Sequence, residues 1–108
     1  MSKLRVYIAS AYTLGDVGEN VHKAVIAANE LLERGYIPFS PILFTHLWHL
    51  ITPKPYQEWL DYDMNWLEAC DVVLRLSGES KGADIEEAMA RKLGKPVFYS
   101  IKEIGGKR

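Results

Sequence analysis

The sequence predicts a doubly wound α/β domain, Rossmann-like or flavodoxin-like, with a mostly parallel sheet of four to five strands. Three observations predict it. Short apolar runs alternate with segments of helical periodicity. The runs are apolar throughout, as in strands covered on both faces, rather than alternating between apolar and polar. No internal repeat, low-complexity tract or composition break divides the chain, so residues 1–108 read as one domain.

Residues 4–9 (LRVYIA) read as a buried strand, followed by a loop at 10–18 rich in small residues and glycine. Residues 19–34 read as a helix with Val21, Val25, Ala28 and Leu32 at helical spacing and Gly35 as its stop. Tyr36–Ser40 is a second short strand closed by Pro41. Residues 42–54 read as a loop or broken helix ending at Pro53 and Pro55, and residues 55–70 as a helix with Pro55 in its first turn. Asp71–Leu76 is a third strand, 77–81 a polar loop, and 82–93 a helix with Ile85, Met89 and Leu93 inward and Gly94 as terminator. Pro96–Ser100 is a fourth strand, and the tail KEIGGKR reads as frayed or a short cap.

Composition excludes several classes. The 108 residues are 48% hydrophobic and 25% charged, as in an ordinary globular domain, with a formal net charge of -1. That balance leaves no footprint for a polyanion, so no stable nucleic-acid binding is expected. No run reaches membrane-spanning length and no cleavable leader is visible, which predicts a cytoplasmic protein without a membrane partner. The single cysteine, Cys70, rules out an internal disulfide and reads as a small buried hydrophobe. His46 and His49 stand three apart without a clear third ligand, so no metal and no cofactor is expected.

In this fold class ligands sit beyond the carboxyl ends of the strands, where the loops at 10–18, 41–54 and 77–82 should meet. Two carboxylates approach that rim. At about 100° per residue, Tyr56, Trp59, Leu60, Trp66, Leu67 and Cys70 form one face of the 55–70 helix, with Asp63 near its middle. A charge there is costly unless it is paired, hydrogen-bonded or at the lip of a pocket. Glu86 lies roughly 60° from the centre of the next helix's apolar stripe, while Glu87 faces solvent. The bland alternatives are a capped or ion-paired Asp63, and a Glu86 that complements the helix dipole. The loop SGESKG runs into the same helix. Its serine, lysine and backbone N–H groups suit a phosphate, with an ordinary Ser80 cap as the alternative. Ser10, Tyr12 and Thr13 can bond a sugar or stack on a base, or serve as turn residues with a half-buried tyrosine.

Three segments, VYIASAY, DMNWLEACDVVLRL and SKGADIEEAMARKLGKPVF, resemble the nucleoside 2-deoxyribosyltransferase-like superfamily, which includes the 2'-deoxynucleoside 5'-phosphate N-hydrolases. GADIEEAMA resembles the G-x-x-x-E-x-G/A-x-A segment that carries the nucleophile, which the resemblance places on Glu86. DMNWLEACD resembles the segment whose first aspartate sits beside the nucleophile, here Asp63, and it puts Asp71 at a strand start. By the same resemblance Tyr7 and Ser10 line the sugar or phosphate pocket, with Ser80 and Asp71 in the matching segments; Tyr12 and Gly82, read from the loops themselves, complete the candidate substrate-binding set. The transferases usually carry an aspartate two residues before the motif glycine, whereas the nucleotide hydrolases carry a serine, as Ser80 does here. A serine hydroxyl can donate to a phosphate that an aspartate would repel.

The resemblance therefore implies a hydrolase that cleaves the N-glycosidic bond of a (deoxy)nucleoside 5'-monophosphate. Its alternatives are a base-exchanging transferase, or a non-catalytic nucleotide-binding protein. Phe44, Leu47, Trp48, His49 and Ile51 crowd one segment with more apolar area than a surface loop needs. With one face of the 55–70 helix they are expected to pack against a second copy, as a homodimer or higher homo-oligomer. The alternative is a lid folded over the protein's own sheet.

Overall fold

The computed structural model describes residues 3–105. Four strands, β1 (Arg5–Ala9), β2 (Ile37–Phe39), β3 (Val72–Arg75) and β4 (Val97–Phe98), form one sheet in the order β2-β1-β3-β4. Every pairing is parallel, with β1 and β3 in register from Val6 opposite Val72 to Ala9 opposite Arg75. The expected doubly wound parallel sheet is therefore present.

The central strand is apolar because both its faces are covered: Val6, Tyr7, Ile8 and Ala9 are fully buried. Alternate side chains feed two cores. Val6, Ile8, Val72 and Leu74 meet Ala27 and Leu31 of α1 (Val17–Glu33) and Ile104 of α5 (Ile101–Gly105). Tyr7, Ala9 and Val73 meet Leu67 of α3 (Tyr56–Ala69) and Ala83 and Ala90 of α4 (Lys81–Lys92). Cys70 is buried in the second core, and burial pushes its thiol up to about 11, which suits an inert packing group.

Local chemistry sets the helix ends. The Asp16 carboxylate accepts the Glu19 N–H at 3.0 Å, starting α1. Gly35 takes φ +94, so the chain reverses after α1 and the Tyr36 N–H returns to the Leu31 carbonyl.

Several expectations are corrected. The inward face of α1 is Ala24, Ala27 and Leu31, while Val25 and Leu32 are exposed. Small alanines let the helix lie close to the sheet, and apolar residues flank them on both sides, so periodicity alone points to the wrong stripe. Residues 42–54 are no broken loop. Pro41–Ile51 form a regular helix, α2, with Ser40 as N-cap and Pro41 in the first turn, where its missing N–H costs nothing. The buried stripe of α4 is Ala83, Glu86 and Ala90, which puts Glu86 in its middle rather than near its edge, and Leu93 falls just past the helix end. Part of the expected frayed tail is the short helix α5; residues 106–108 lie outside the described residues. Among the described residues no helix is long and apolar enough to cross a membrane.

Candidate active site

A cavity of about 760 Å³ opens beyond the carboxyl ends of β1, β2 and β3. β1 is followed by a connection toward β2 on one side, while β3 leads to β4 on the other. Their divergence creates the crevice where open parallel sheets hold ligands. The wall comes from the loop after β1, the inner face of α2, the apolar face of α3 and the first turns of α4.

Glu86 projects from α4 into this wall at only 7% exposure. The Tyr7 hydroxyl donates to its Oε2 at 2.6 Å. Burial pushes the Glu86 carboxyl up to about 8; the Tyr7 bond opposes the rise, the nearby Asp63 adds to it, and Arg75 counters it. Burial likewise pushes Asp63 up to about 7. The Asp63 Oδ1 is buried with no protein partner, and so is the Ser10 Oγ. Both residues line the cavity, and neither of these atoms spends its hydrogen-bonding capacity on the protein. Tyr7 is raised too, first by burial and then by Glu86 and Asp63, so its hydroxyl stays protonated and keeps donating.

The structure brings together Glu86, Asp63, Ser10, Tyr12, Ser80 and Gly82 on one cavity. Ser80 does two things at once. Its Oγ accepts the Ala83 N–H at 3.1 Å as the cap of α4, and the residue also lines the cavity. Gly82 gives room to a neighbour: a Cβ there would meet the Tyr56 hydroxyl at 3.2 Å. The Tyr12 hydroxyl is 2.6 Å from the His46 Nδ1, which fixes that ring beside the cavity mouth.

Two expectations change. Tyr7 does not line the cavity; it is fully buried and bonds the Glu86 carboxyl from behind. Asp71 is at the other end of the sheet, where its carboxylate accepts the Arg5 N–H at 2.8 Å. β1 runs its full length between that bond and Ser10, so Asp71 braces the amino ends of β1 and β3 and is absent from the cavity wall.

Sequence reasoning missed Tyr56, Trp59, His49 and Lys54, all of which line the cavity. For the two aromatic residues a signal exists: both share the Asp63 face of α3, and that face is the cavity wall rather than core. His49 carries no such signal, because its segment does not read as a continuous helix. The Trp59 Nε1–H donates to the His49 Nδ1 at 2.8 Å, and the Lys54 N–H does so at 3.3 Å. With Nδ1 accepting, a neutral His49 carries its hydrogen on Nε2. Among the described residues no three His, Cys, Asp or Glu side chains cluster as metal ligands.

Phe44 and Trp48 turn toward α3, where Phe44 stacks on Tyr62 and Trp48 meets Trp59 and Tyr62 edge-on. They still expose 52% and 40% of their surface.

No curated protein matches the chain in sequence. Among solved structures, a 2-deoxyribosyltransferase from the psychrotolerant bacterium Bacillus psychrosaccharolyticus superposes with a TM-score of 0.65 at 22% identity. The match covers 86% of this chain and 69% of that one. The likeness to the nucleoside 2-deoxyribosyltransferase-like superfamily therefore holds at the level of the fold. A family model covers residues 4–100, nearly the whole described structure, and by that match the chain belongs to the family described as Domain of unknown function (DUF7768).

Proposed function

We propose that this protein breaks the N-glycosidic bond of a deoxyribonucleoside through Glu86 and passes the deoxyribosyl group to a second base. The observation that carries the reading is the arrangement at Glu86: a carboxyl buried in a ligand-sized cavity, held by Tyr7, beside a second carboxyl with an unpartnered buried oxygen. In the reaction the Glu86 carboxylate attacks the anomeric carbon as the bond to the base nitrogen breaks. Asp63, whose carboxyl burial pushes up to about 7, gives its proton to the departing base. The step starts from the form of the pair that holds one proton, on Asp63, with Glu86 ionised, and the Tyr7 hydroxyl steadies that carboxylate while the oxocarbenium-like charge develops. The resulting glycosyl ester is opened by an acceptor base, whose proton returns to Asp63. The shared fold with a 2-deoxyribosyltransferase favours exchange over the hydrolysis that Ser80 suggested.

A second reading, hydrolysis of a nucleoside 5'-monophosphate, is favoured by one feature of the cavity: Ser80, Lys81 and Lys54 all line it. Water would then open the ester in place of a base. One experiment separates the readings: purified protein is incubated with each common deoxynucleoside and its 5'-monophosphate, with and without an acceptor base. Exchange product supports the transferase, and free base with deoxyribose 5-phosphate supports the hydrolase. Binding with neither product leaves a nucleotide-binding protein. If the phosphate reading holds, Ser80→Asp lowers the preference for monophosphate over nucleoside by about tenfold or more, because it sets like charges together.

The protein is further proposed to self-associate through α2. Phe44, Leu47, Trp48 and Ile51 recur at helical spacing; Leu47 and Ile51 are largely exposed, and Phe44 and Trp48, though packed on α3, leave part of their rings open beside them. Sedimentation at micromolar concentration should show a species heavier than one chain, and Leu47→Glu should return it to one chain. An active species of one-chain mass would end the idea.

A further inference from the structure

We infer that Arg75 is a positioning residue for Glu86, tying the β3–α4 loop and the outer face of α4 into one rigid unit behind the nucleophile. The inference rests on the reading of Glu86 above. Arg75 ends β3, and its side chain is only 11% exposed. Its guanidinium spends all three nitrogens locally. Nε donates to the Leu76 carbonyl at 3.1 Å and Nη2 to the Gly78 carbonyl at 2.8 Å. Nη1 donates to the Asp84 carboxylate at 2.7 Å and the Glu87 carboxylate at 3.3 Å. The first two bonds fix the loop that delivers Ser80 to the cavity. The other two seize α4 on both sides of Glu86 in sequence. A planar fork can make this set of bonds, and a lysine ammonium cannot.

Among the described residues, Arg75 also supplies the cation whose charge acts on the buried Glu86. The groups whose charge or bond bears on that carboxyl are Tyr7 from β1, Asp63 and Tyr56 from α3, and Arg75 from β3, while His49, Lys54 and Lys81 line the same cavity. Asp84 and Glu87 offset part of the Arg75 charge from the outer side. The net effect of Arg75, from outside the cavity wall, is to favour the carboxylate form that attack requires.

The test is an NMR titration of the Glu86 carboxyl carbon in glutamate-labelled protein, assigned with Glu86→Gln. It needs no turnover. Arg75→Gln should raise the Glu86 midpoint by about half to one pH unit. Where exchange activity is found, the acid limb of its pH profile should move by the same amount. Arg75→Lys keeps the charge and loses the fork. It should leave the midpoint within about 0.3 unit while amide hydrogen exchange at residues 77–80 quickens about tenfold and KM rises. An unmoved midpoint in folded Arg75→Gln overturns the electrostatic half. Unchanged loop exchange in Arg75→Lys overturns the clamp. If Glu86→Ala retains full turnover, or no nucleoside is processed, the proposed reaction fails, while the NMR midpoint and loop exchange still decide for or against Arg75.

Discussion

Glu86 and Glu87 are neighbours on α4 and differ in every physical respect that matters. Glu86 is buried on the cavity side, bonded only by Tyr7, and its carboxyl is pushed up to about 8. Glu87 faces outward and is bonded by Tyr99, Arg75 and Arg91, which together hold its carboxyl below the usual range. One residue of helix rotation, about 100°, separates a buried carboxyl on the cavity wall from one paired with Arg75 and Arg91. The side chains are identical, so the contrast isolates environment. Desolvation with no cation in hydrogen-bond contact raises one carboxyl, and direct ion pairing lowers the other.

The largest expected effect is on turnover. If the contrast is functional, Glu86→Ala should lower kcat about a thousandfold or more with the fold intact, whereas Glu87→Gln should lose less than about tenfold. Steady-state kinetics with circular dichroism on both variants decide it. Equal losses would show that α4 acts only as a scaffold. Asp63→Asn sharpens the comparison on the cavity side. It removes the proton source while keeping shape, so kcat should fall about a hundredfold, with a smaller change in substrate affinity. A loss confined to KM would move Asp63 from proton donor to binding group.

The pH dependence of stability should have opposite signs at the two glutamates. The folded protein holds protons on Glu86 and Asp63 that the unfolded chain has already released above its normal carboxyl range. Their stabilising contribution is complete below about pH 4 and is lost as pH rises through 7 and 8. Glu86→Gln should therefore unfold at a higher temperature than the native protein at pH 9, by about 4 °C or more, and show little difference at pH 4. Glu87, with its depressed value, contributes above the unfolded carboxyl range, and that contribution fades on acidification. Glu87→Gln should lower the melting temperature by about a degree or two at pH 7, with the gap closing at low pH. Melting curves across this range would break the comparison if both variants shifted the same way.

The two carboxylates of the cavity stand out in the sequence because each violates a local rule. Asp63 interrupts an apolar helix face, and Glu86 adjoins one. Such violations are visible without knowing what packs where. The corrected features share the opposite property. Val25 and Leu32 obey helical spacing yet face outward, since α1 is apolar around more than half its girth and only the sheet selects Ala24, Ala27 and Leu31. Asp71 matches a motif segment, but strand direction carries it to the far end of the sheet. His49 and Lys54 reach the cavity only through the fold of α2 and its link to α3.

By itself, then, the order of residues determined the parallel α/β class, the positions of most elements and the presence of a carboxylate on the apolar face of α3 and another beside that of α4. Those depend on periodicity, capping and local polarity, which act over a few neighbours. Tertiary structure alone decided that Tyr7 lies behind Glu86 rather than in the cavity, that Ser10 and Asp63 each keep a buried unpartnered oxygen, and that Arg75 reaches both Gly78 and α4. These are contacts between segments far apart in the chain. Which partners a buried polar atom finds is set by how the sheet twists and the helices dock, and no local pattern encodes that.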